Sequence, residues 1–384
     1  MGNLLSGFGF AAFSLLFNLF LLSNGVREGS MGHLLSIGTY TTVFLILPAA
    51  LIVKRFSISK IIILSPIITV IGYFIAIQSS SFTVRVIGFI IAGGAGAFNS
   101  VIGGPLIMRI TDEKSRTFFF SLNHATMLFA GITGNLIAGF LPTFLTKFLI
   151  DGNNGLKYAI FFHLLASLIS SFFYAKLSIS RLSDEEKKTN ISIKTSKKLL
   201  FYLVLPPMTV GLGAGMTIPF LNLYFKTEFN LDTQMIGIIF ASAQALTILG
   251  TLLGPIMAKK YGLIKTAIIT QMVSIPFLYI LGFTYFFPAV LFAFFIRNAL
   301  MNMSGPLSSN FAMEVVSPED RPITSGLLSV AWLATWGLTA NIGGMLIEKF
   351  GYQIPFTCTI FFYIISSLLY WKLLRPIEKH HLLI

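Results

Sequence analysis

Charge is the scarcest commodity in this 384-residue chain, with Asp, Glu, Lys and Arg together making up 11% of it. A soluble domain carries about 25%. With 55% hydrophobic residues and a mean hydropathy of +0.83, the chain cannot maintain a water-facing surface over most of its area. It reads as an integral membrane protein. Strict apolar/polar alternation is missing as well, which excludes an outer-membrane barrel. Long apolar runs rich in Leu, Ile and Phe select helices, since in lipid every backbone amide must be satisfied within its own segment. Cysteine is nearly absent: Cys358 alone rules out an intrachain disulfide and a thiolate metal cluster. Acid is scarce relative to base, 14 residues against 27, giving a net charge of +13. In a membrane protein that excess marks cytoplasmic loops rather than nucleic-acid binding. No phosphate-cradling P-loop motif and no catalytic constellation is visible. The expectation is therefore no ATP-driven pumping, no enzyme, no cofactor and no metal.

What is there is a series of uncharged intervals long enough to span a bilayer, about 20 residues each. Six precede a polar segment and six follow it. The interval 266–296 is too long for one span, and the turn residues from Gly282 to Pro288 divide it. Helix ten then runs from about Pro288 through Arg297 to about Met313. The reading is an all-α membrane protein of twelve transmembrane helices in two pseudo-symmetric six-helix bundles. Residues 1–177 form the N-terminal bundle, 178–198 a solvated linker containing RLSDEEKKTNISIKTSKK, and 199–384 the C-terminal bundle. The first span lacks a basic start, so it is kept as an uncleaved helix.

Lys and Arg fix the orientation. One side holds the loops after helices two, four, eight and ten, the linker and the end of the chain; the other holds only Arg27, Lys147, Lys157, Lys226 and Lys349. The heavily basic side is cytoplasmic, and so are both termini. A multi-pass protein of the cell membrane, plasma or inner, is expected.

The chain is also built twice. KRFSISK at 54–60 is answered by KKYGLIK at 259–265, and Gly104-Pro105-Leu106 by Gly305-Pro306-Leu307. Thr111 to Arg116 has its counterpart in Ser317 to Arg321, Gly131 and Asn135 in Gly337 and Asn341, and Asn18-Leu19-Phe20 in Asn222-Leu223-Tyr224. A constant offset near two hundred residues makes the halves parallel repeats.

Two six-helix halves, a cytoplasmic linker and paired basic loops after helices two and eight resemble the major facilitator superfamily of secondary transporters, over essentially the whole chain. That family's loop reads G-x-x-x-D-R-x-G-R-K. Here Lys54 and Lys259 stand at the acidic position, Arg55 and Lys260 at the Arg, and Ser57 and Gly262 at the second Gly. Losing the carboxylate in both copies means that any gate is wired otherwise. The counter-charges available on that side are Asp112, Glu113, Glu319 and Asp320. Asp112, Glu319 and Asp320, with Arg116 and Arg321, complete an expected gating set of Lys54, Arg55, Asp112, Arg116, Lys259, Lys260, Glu319, Asp320 and Arg321. The helix-five signature of the family's antiporters is met by Ala130, Gly134, Asn135, Ala138 and Gly139, with Asn in place of Pro. Small residues at that spacing also allow close helix contact.

The resemblance implies a central cavity lined by helices one, four, seven and ten. The sequence supplies few polar residues at membrane depth. Arg297 is a full charge in an apolar span, so it either binds a polar or anionic group of a substrate or is satisfied by carbonyls and water. His124 beside Asn123 is a titratable candidate for a coupling proton, against the plainer role of a packing histidine. Asn18, Asn222, Gln244, Asn298 and Asn302 are polar candidates, and Tyr40, Trp332 and Trp336 apolar walls. The last two lie four apart, on one helix face.

These residues lead to a secondary transporter of a small organic solute working by alternating access, with the bilayer and a small molecule as partners and a monomer as the family default. Export of amphipathic compounds is the expected activity. Uptake of a sugar or another polar or anionic metabolite, and lipid handling, are the rivals.

Overall fold

The computed structural model describes residues 1–55, 58–111, 113–148, 154–177 and 194–381. Among the described residues, twelve helices are long and apolar enough to cross a membrane. Six precede the linker: α1 (Gly2–Ser23), α2 (Glu28–Arg55), α3 (Ile58–Gln78), α4 (Phe82–Ile110), α5 (Glu113–Phe148) and α6 (Gly155–Ala175). Six follow: α7 (Lys197–Thr217), α8 (Thr233–Tyr261), α9 (Leu263–Phe283), α10 (Phe287–Val315), α11 (Arg321–Phe350) and α12 (Gln353–Leu369). Among the described residues there is no strand.

Two helices carry continuations beyond their main span. At the far end of α7, a 3-10 turn at Ile218–Phe220 leads into a short helix, Leu221–Glu228. Pro219 lies in that turn and has no N–H to continue the α-helical ladder. α12 continues through a π-turn at Tyr370–Leu374 into Arg375–His381.

The chain divides into two compact units. The first comprises Met1–Arg27, His33–Asn190 and Asn222–Ala241; the second comprises Glu28–Gly32, Ile191–Leu221 and Ser242–Ile384. In the first, α1 packs on α5 and α6, and α3 on α4 and α6. In the second, α7 packs on α11 and α12, and α9 on α10 and α12. Offset by six helices, these are the same four pairings, so the duplication seen in the sequence is also a duplication of packing. The second unit closes at one end with an apolar cluster of Leu200, Leu203, Ile264, Phe311, Ala312, Val316, Tyr370 and Leu374. It joins α7, α9 and α10 to the π-turn after α12, which holds that turn against the bundle.

Candidate functional site

Arg297 lies on α10 inside the second unit and is 4% exposed. Its terminal nitrogen donates to the Tyr363 hydroxyl on α12 at 2.8 Å, and the guanidinium carbon lies 5.8 Å from the centre of the same ring. Its Nε finds no partner among the described residues. A neutral phenol and a ring face therefore stand where an ion pair would ordinarily be. The surroundings are a polar seam on one face of α12. Thr359 donates to the Gly213 carbonyl at 2.8 Å, Ser366 to the Pro206 carbonyl at 3.1 Å, and Ser367 to the Gln271 side-chain oxygen at 2.9 Å. Thr359, Tyr363, Ser366 and Ser367 recur at helical spacing, so the seam is a stripe visible in the sequence, although the partner of Arg297 is not.

Beginning at the residue after Arg297, α10 builds a polar patch with α8. The Asn298 amide donates to Thr247 at 2.8 Å and to the Ala243 carbonyl at 3.3 Å. Asn302, exposed, donates to the Asn298 carbonyl at 2.8 Å. Gln244 is half-buried and follows Ala243 directly.

Trp332 and Trp336 on α11 stack with ring centres 6.3 Å apart and an interplanar angle of 26°. Their backbone presses on α7: a Cβ added at Gly211 would lie 2.7 Å from the Trp332 carbonyl, and one at Gly215 2.3 Å from that of Trp336. Any larger residue at either position would push the two helices apart. Trp332 remains 36% exposed. Among the described residues no hydrogen bond joins this pair to Arg297 or Asn298.

In the first unit, Asn18 and Asn222 are 3% exposed each. The Asn18 amide donates to the Asn222 oxygen at 3.5 Å, and the Asn222 amide to the Leu15 carbonyl at 2.8 Å. The two asparagines that match each other across the sequence repeat thus meet in space. Asn123, on α5, accepts from the Asn3 amide, whose oxygen in turn accepts from the Tyr174 hydroxyl. His124 is exposed. Tyr40 is half-buried with its ring 6.2 Å from that of Phe44. The buried histidine of this unit is His163. Its Nδ1 lies 2.6 Å from the Ala159 carbonyl, its ring stacks on Phe8 at 4.8 Å, and its Nε2 finds no partner among the described residues.

The small residues of α5 make contacts of their own. A Cβ at Gly134 would lie 2.8 Å from the Phe8 carbonyl on α1. Gly139 meets Gly237 of α8 backbone to backbone, with an added Cβ on Gly237 falling 2.6 Å from the Gly139 Cα. Close helix approach accounts for this spacing.

Of the expected gating set, Asp112 and the side chains of Lys54, Arg55 and Arg116 lie outside the described residues. Lys259 and Lys260 are exposed, and Lys260 sits over the Tyr261 ring at 5.2 Å. Arg321 donates from Nε to the Met313 carbonyl at 2.8 Å. Glu319 and Asp320 hold the end of the linker. The Lys194 backbone N–H donates to Asp320 Oδ2 at 2.9 Å, the Thr195 N–H donates to the same oxygen, and the Ser317 N–H donates to the Thr195 hydroxyl at 3.1 Å. Lys194 and Glu319 form an exposed ion pair at 2.8 Å. The hydrogen bond and charge of Glu319 hold the Lys194 ammonium above its ordinary range.

The family profile of the Major Facilitator Superfamily matches residues 1–208 and again 207–383. No curated protein matches the chain by sequence. Solved structures do match by fold. A bacterial homologue of the human lysosomal transporter Spinster, inward-facing and unoccupied, superposes with a TM-score of 0.79 at 15% identity, covering 96% of this chain and 94% of its own. A D-xylose-proton symporter gives 0.77 at 16% identity, with 97% and 95% covered. The nucleoside transporter NupG gives 0.75 at 15% identity, with 96% of each chain covered. At these identities the likeness is one of fold.

Proposed function

The chain belongs to the Major Facilitator Superfamily, and from that premise we propose that it is a secondary transporter exporting amphipathic organic solutes by alternating access. The observation that carries this reading is the contrast between the deep polar groups and the aromatic pair. Arg297 is buried and engaged by Tyr363, and Asn18 and Asn222 are engaged with each other and with Leu15. Trp332, by contrast, keeps exposed ring surface, stacked on a half-buried Trp336. A solute meeting this surface gains stacking and apolar burial. The neighbours of known structure carry diverse cargoes by their names, so they support the transporter and leave the solute to the residues of this chain.

The working unit is a monomer with both termini cytoplasmic in the cell membrane. The Asn298–Asn302 patch supports a second reading, uptake of a sugar or similar metabolite, because Asn302 presents an exposed amide beside a polar cluster. Inside-out vesicles distinguish the two. Export fills them with a fluorescent amphipathic cation or neutral dye in an energy-dependent manner, and a Trp332→Ala, Trp336→Ala variant loses that filling. Dye exclusion coupled with stereospecific sugar flux would replace the first reading by the second.

A further inference from the structure

At one end of α9 and α12, exposed apolar lines run into clustered cations. α12 presents an exposed apolar line, Phe361 and Leu368, which leads on the same face to Trp371 and Lys372 and then to Lys379. α9, packed beside it, presents Met272, Tyr279 and Phe283 as exposed residues, with half-exposed Lys265 seven residues before Met272. In a membrane-spanning chain such exposed apolar lines face lipid, so the cations at their ends lie at headgroup depth. Toward the other end of α9 there are exposed aromatics instead, Tyr279, Phe283, Tyr285 and Phe286.

Tertiary structure gathers the cations further. Glu378 is 7% exposed, and its Oε1 accepts from the Ile264 N–H at 2.9 Å. Its carboxylate packs over Gly262, whose φ of +91° suits glycine, and a Cβ there would lie 2.9 Å from the same Oε1. This bond pins the segment after α12 against the α8–α9 turn, so that Lys372, Arg375 and Lys379 join Lys259, Lys260 and Lys265. Lys260 and Lys265 flank the Tyr261 ring at 5.2 and 5.5 Å. The one carboxylate in the group is buried and spent on a backbone amide. Among the described residues none of the six cations forms an ion pair.

We propose that this end of the α9–α12 face is a docking surface for the headgroup of an anionic phospholipid. Charge complementarity selects that occupant over a zwitterionic lipid, and the apolar lines below it offer a track for the acyl chains. The exposed Trp371, 54% accessible, sits at the level where amphipathic rings favour the interface. The inference is independent of which solute is carried.

The test uses the full-length protein in phosphatidylcholine bilayers doped with spin-labelled phosphatidylglycerol or spin-labelled phosphatidylcholine. The motionally restricted fraction gives the relative association of each lipid. One cation at such a surface is worth at most about five-fold in preference, and screened neighbours add much less than that each. Wild type is expected to select phosphatidylglycerol several-fold. Lys259→Gln, Lys260→Gln, Lys372→Gln and Lys379→Gln combined, all at exposed positions, lower that preference by about five-fold or more, toward parity. Neutralising Lys147 and Lys349 instead leaves it unchanged. An unselective wild type, or a neutralised variant that keeps the full preference, overturns the proposal. So does competition by inorganic phosphate far beyond that of chloride at equal ionic strength, which would assign the cations to a free anion.

Discussion

Removing one oxygen from α12 puts the reading of Arg297 at risk. In Tyr363→Phe the ring face beneath the guanidinium stays and only the hydroxyl is lost. The hydrogen bond removed runs from a charged donor at 2.8 Å, in a setting where Arg297 Nε already finds no partner among the described residues. A bond from a charged group contributes about 1.5–3 kcal/mol. In a unit of this size that corresponds to a fall of about 3–12 °C in the unfolding midpoint. Membrane proteins commonly unfold irreversibly, so variants are compared in one detergent at one heating rate by intrinsic fluorescence. The second half of the prediction is a rescue. Arg297→Met removes the charge that needs compensation, and replacing both partners of a buried polar contact by apolar groups of similar shape is often nearly neutral or stabilising. The double variant Arg297→Met, Tyr363→Phe therefore melts near wild type, and the cycle reports a coupling well above the few tenths expected of independent sites. Arg297→Met alone keeps its substrate flux. If Tyr363→Phe leaves the midpoint unmoved, the bond carries no stability. If Arg297→Met abolishes flux while its midpoint holds, the guanidinium binds substrate and the structural account of it fails.

Three further outcomes are expected. Truncating Trp336 to Ala raises the apparent KM for aromatic solutes by about two- to thirteen-fold with kcat little changed, because an aromatic contact contributes about 0.5–1.5 kcal/mol beyond its area; equal KM values for aromatic and aliphatic solutes would argue against stacking. Gly237→Leu drives side-chain atoms into the Gly139 backbone, so folded yield after detergent extraction falls sharply, whereas Gly103→Leu, where an added Cβ meets nothing within 4 Å, leaves yield intact; similar losses in both would remove the contact as the reason. Asp320→Ala strips the acceptor from two backbone amides at Lys194 and Thr195, and limited proteolysis should then cut near residue 194 several times faster, an effect that Glu319→Ala, losing only an exposed ion pair, does not reproduce.

Helix number and the duplication were legible in the sequence because bilayer thickness fixes how long an apolar run must be, and because paired motifs recur at one offset. Helix ten was read from about Pro288 to about Met313, and the structure runs Phe287–Val315. Ends that leave the membrane were harder to read. The uncharged run of α12 ends at Trp371, yet helical structure continues to His381. Tyr370 and Leu374 pack into the cluster that closes the second unit, and Glu378 caps Ile264. Charge marks the depth of the membrane, while packing sets the end of the helix. α5 makes the same point at its start, beginning at Glu113 ahead of its uncharged interval.

Among site residues, the stacked tryptophans were legible because four-residue spacing puts both on one face. Tyr363 was not, since it lies 66 residues from Arg297 and has no local signal beyond a polar stripe on α12. Glu319 and Asp320 drew attention as charges on the basic side of the membrane. Their partners at Lys194 and Thr195 are set by how the linker returns to the bundle. Pattern finds the residues that are costly to bury, and only the fold says which neighbours compensate them.

The central claim is that this chain moves amphipathic organic solutes outward across a membrane. Purified protein reconstituted into proteoliposomes, oriented by protease accessibility of the linker, measures it directly with a fluorescent amphipathic solute under an imposed proton gradient. The account predicts saturable movement from the linker side to the opposite side, abolished by Trp332→Ala with Trp336→Ala and retained by Arg297→Met. Flux that requires Arg297, ignores both tryptophans and carries polar metabolites inward would contradict it.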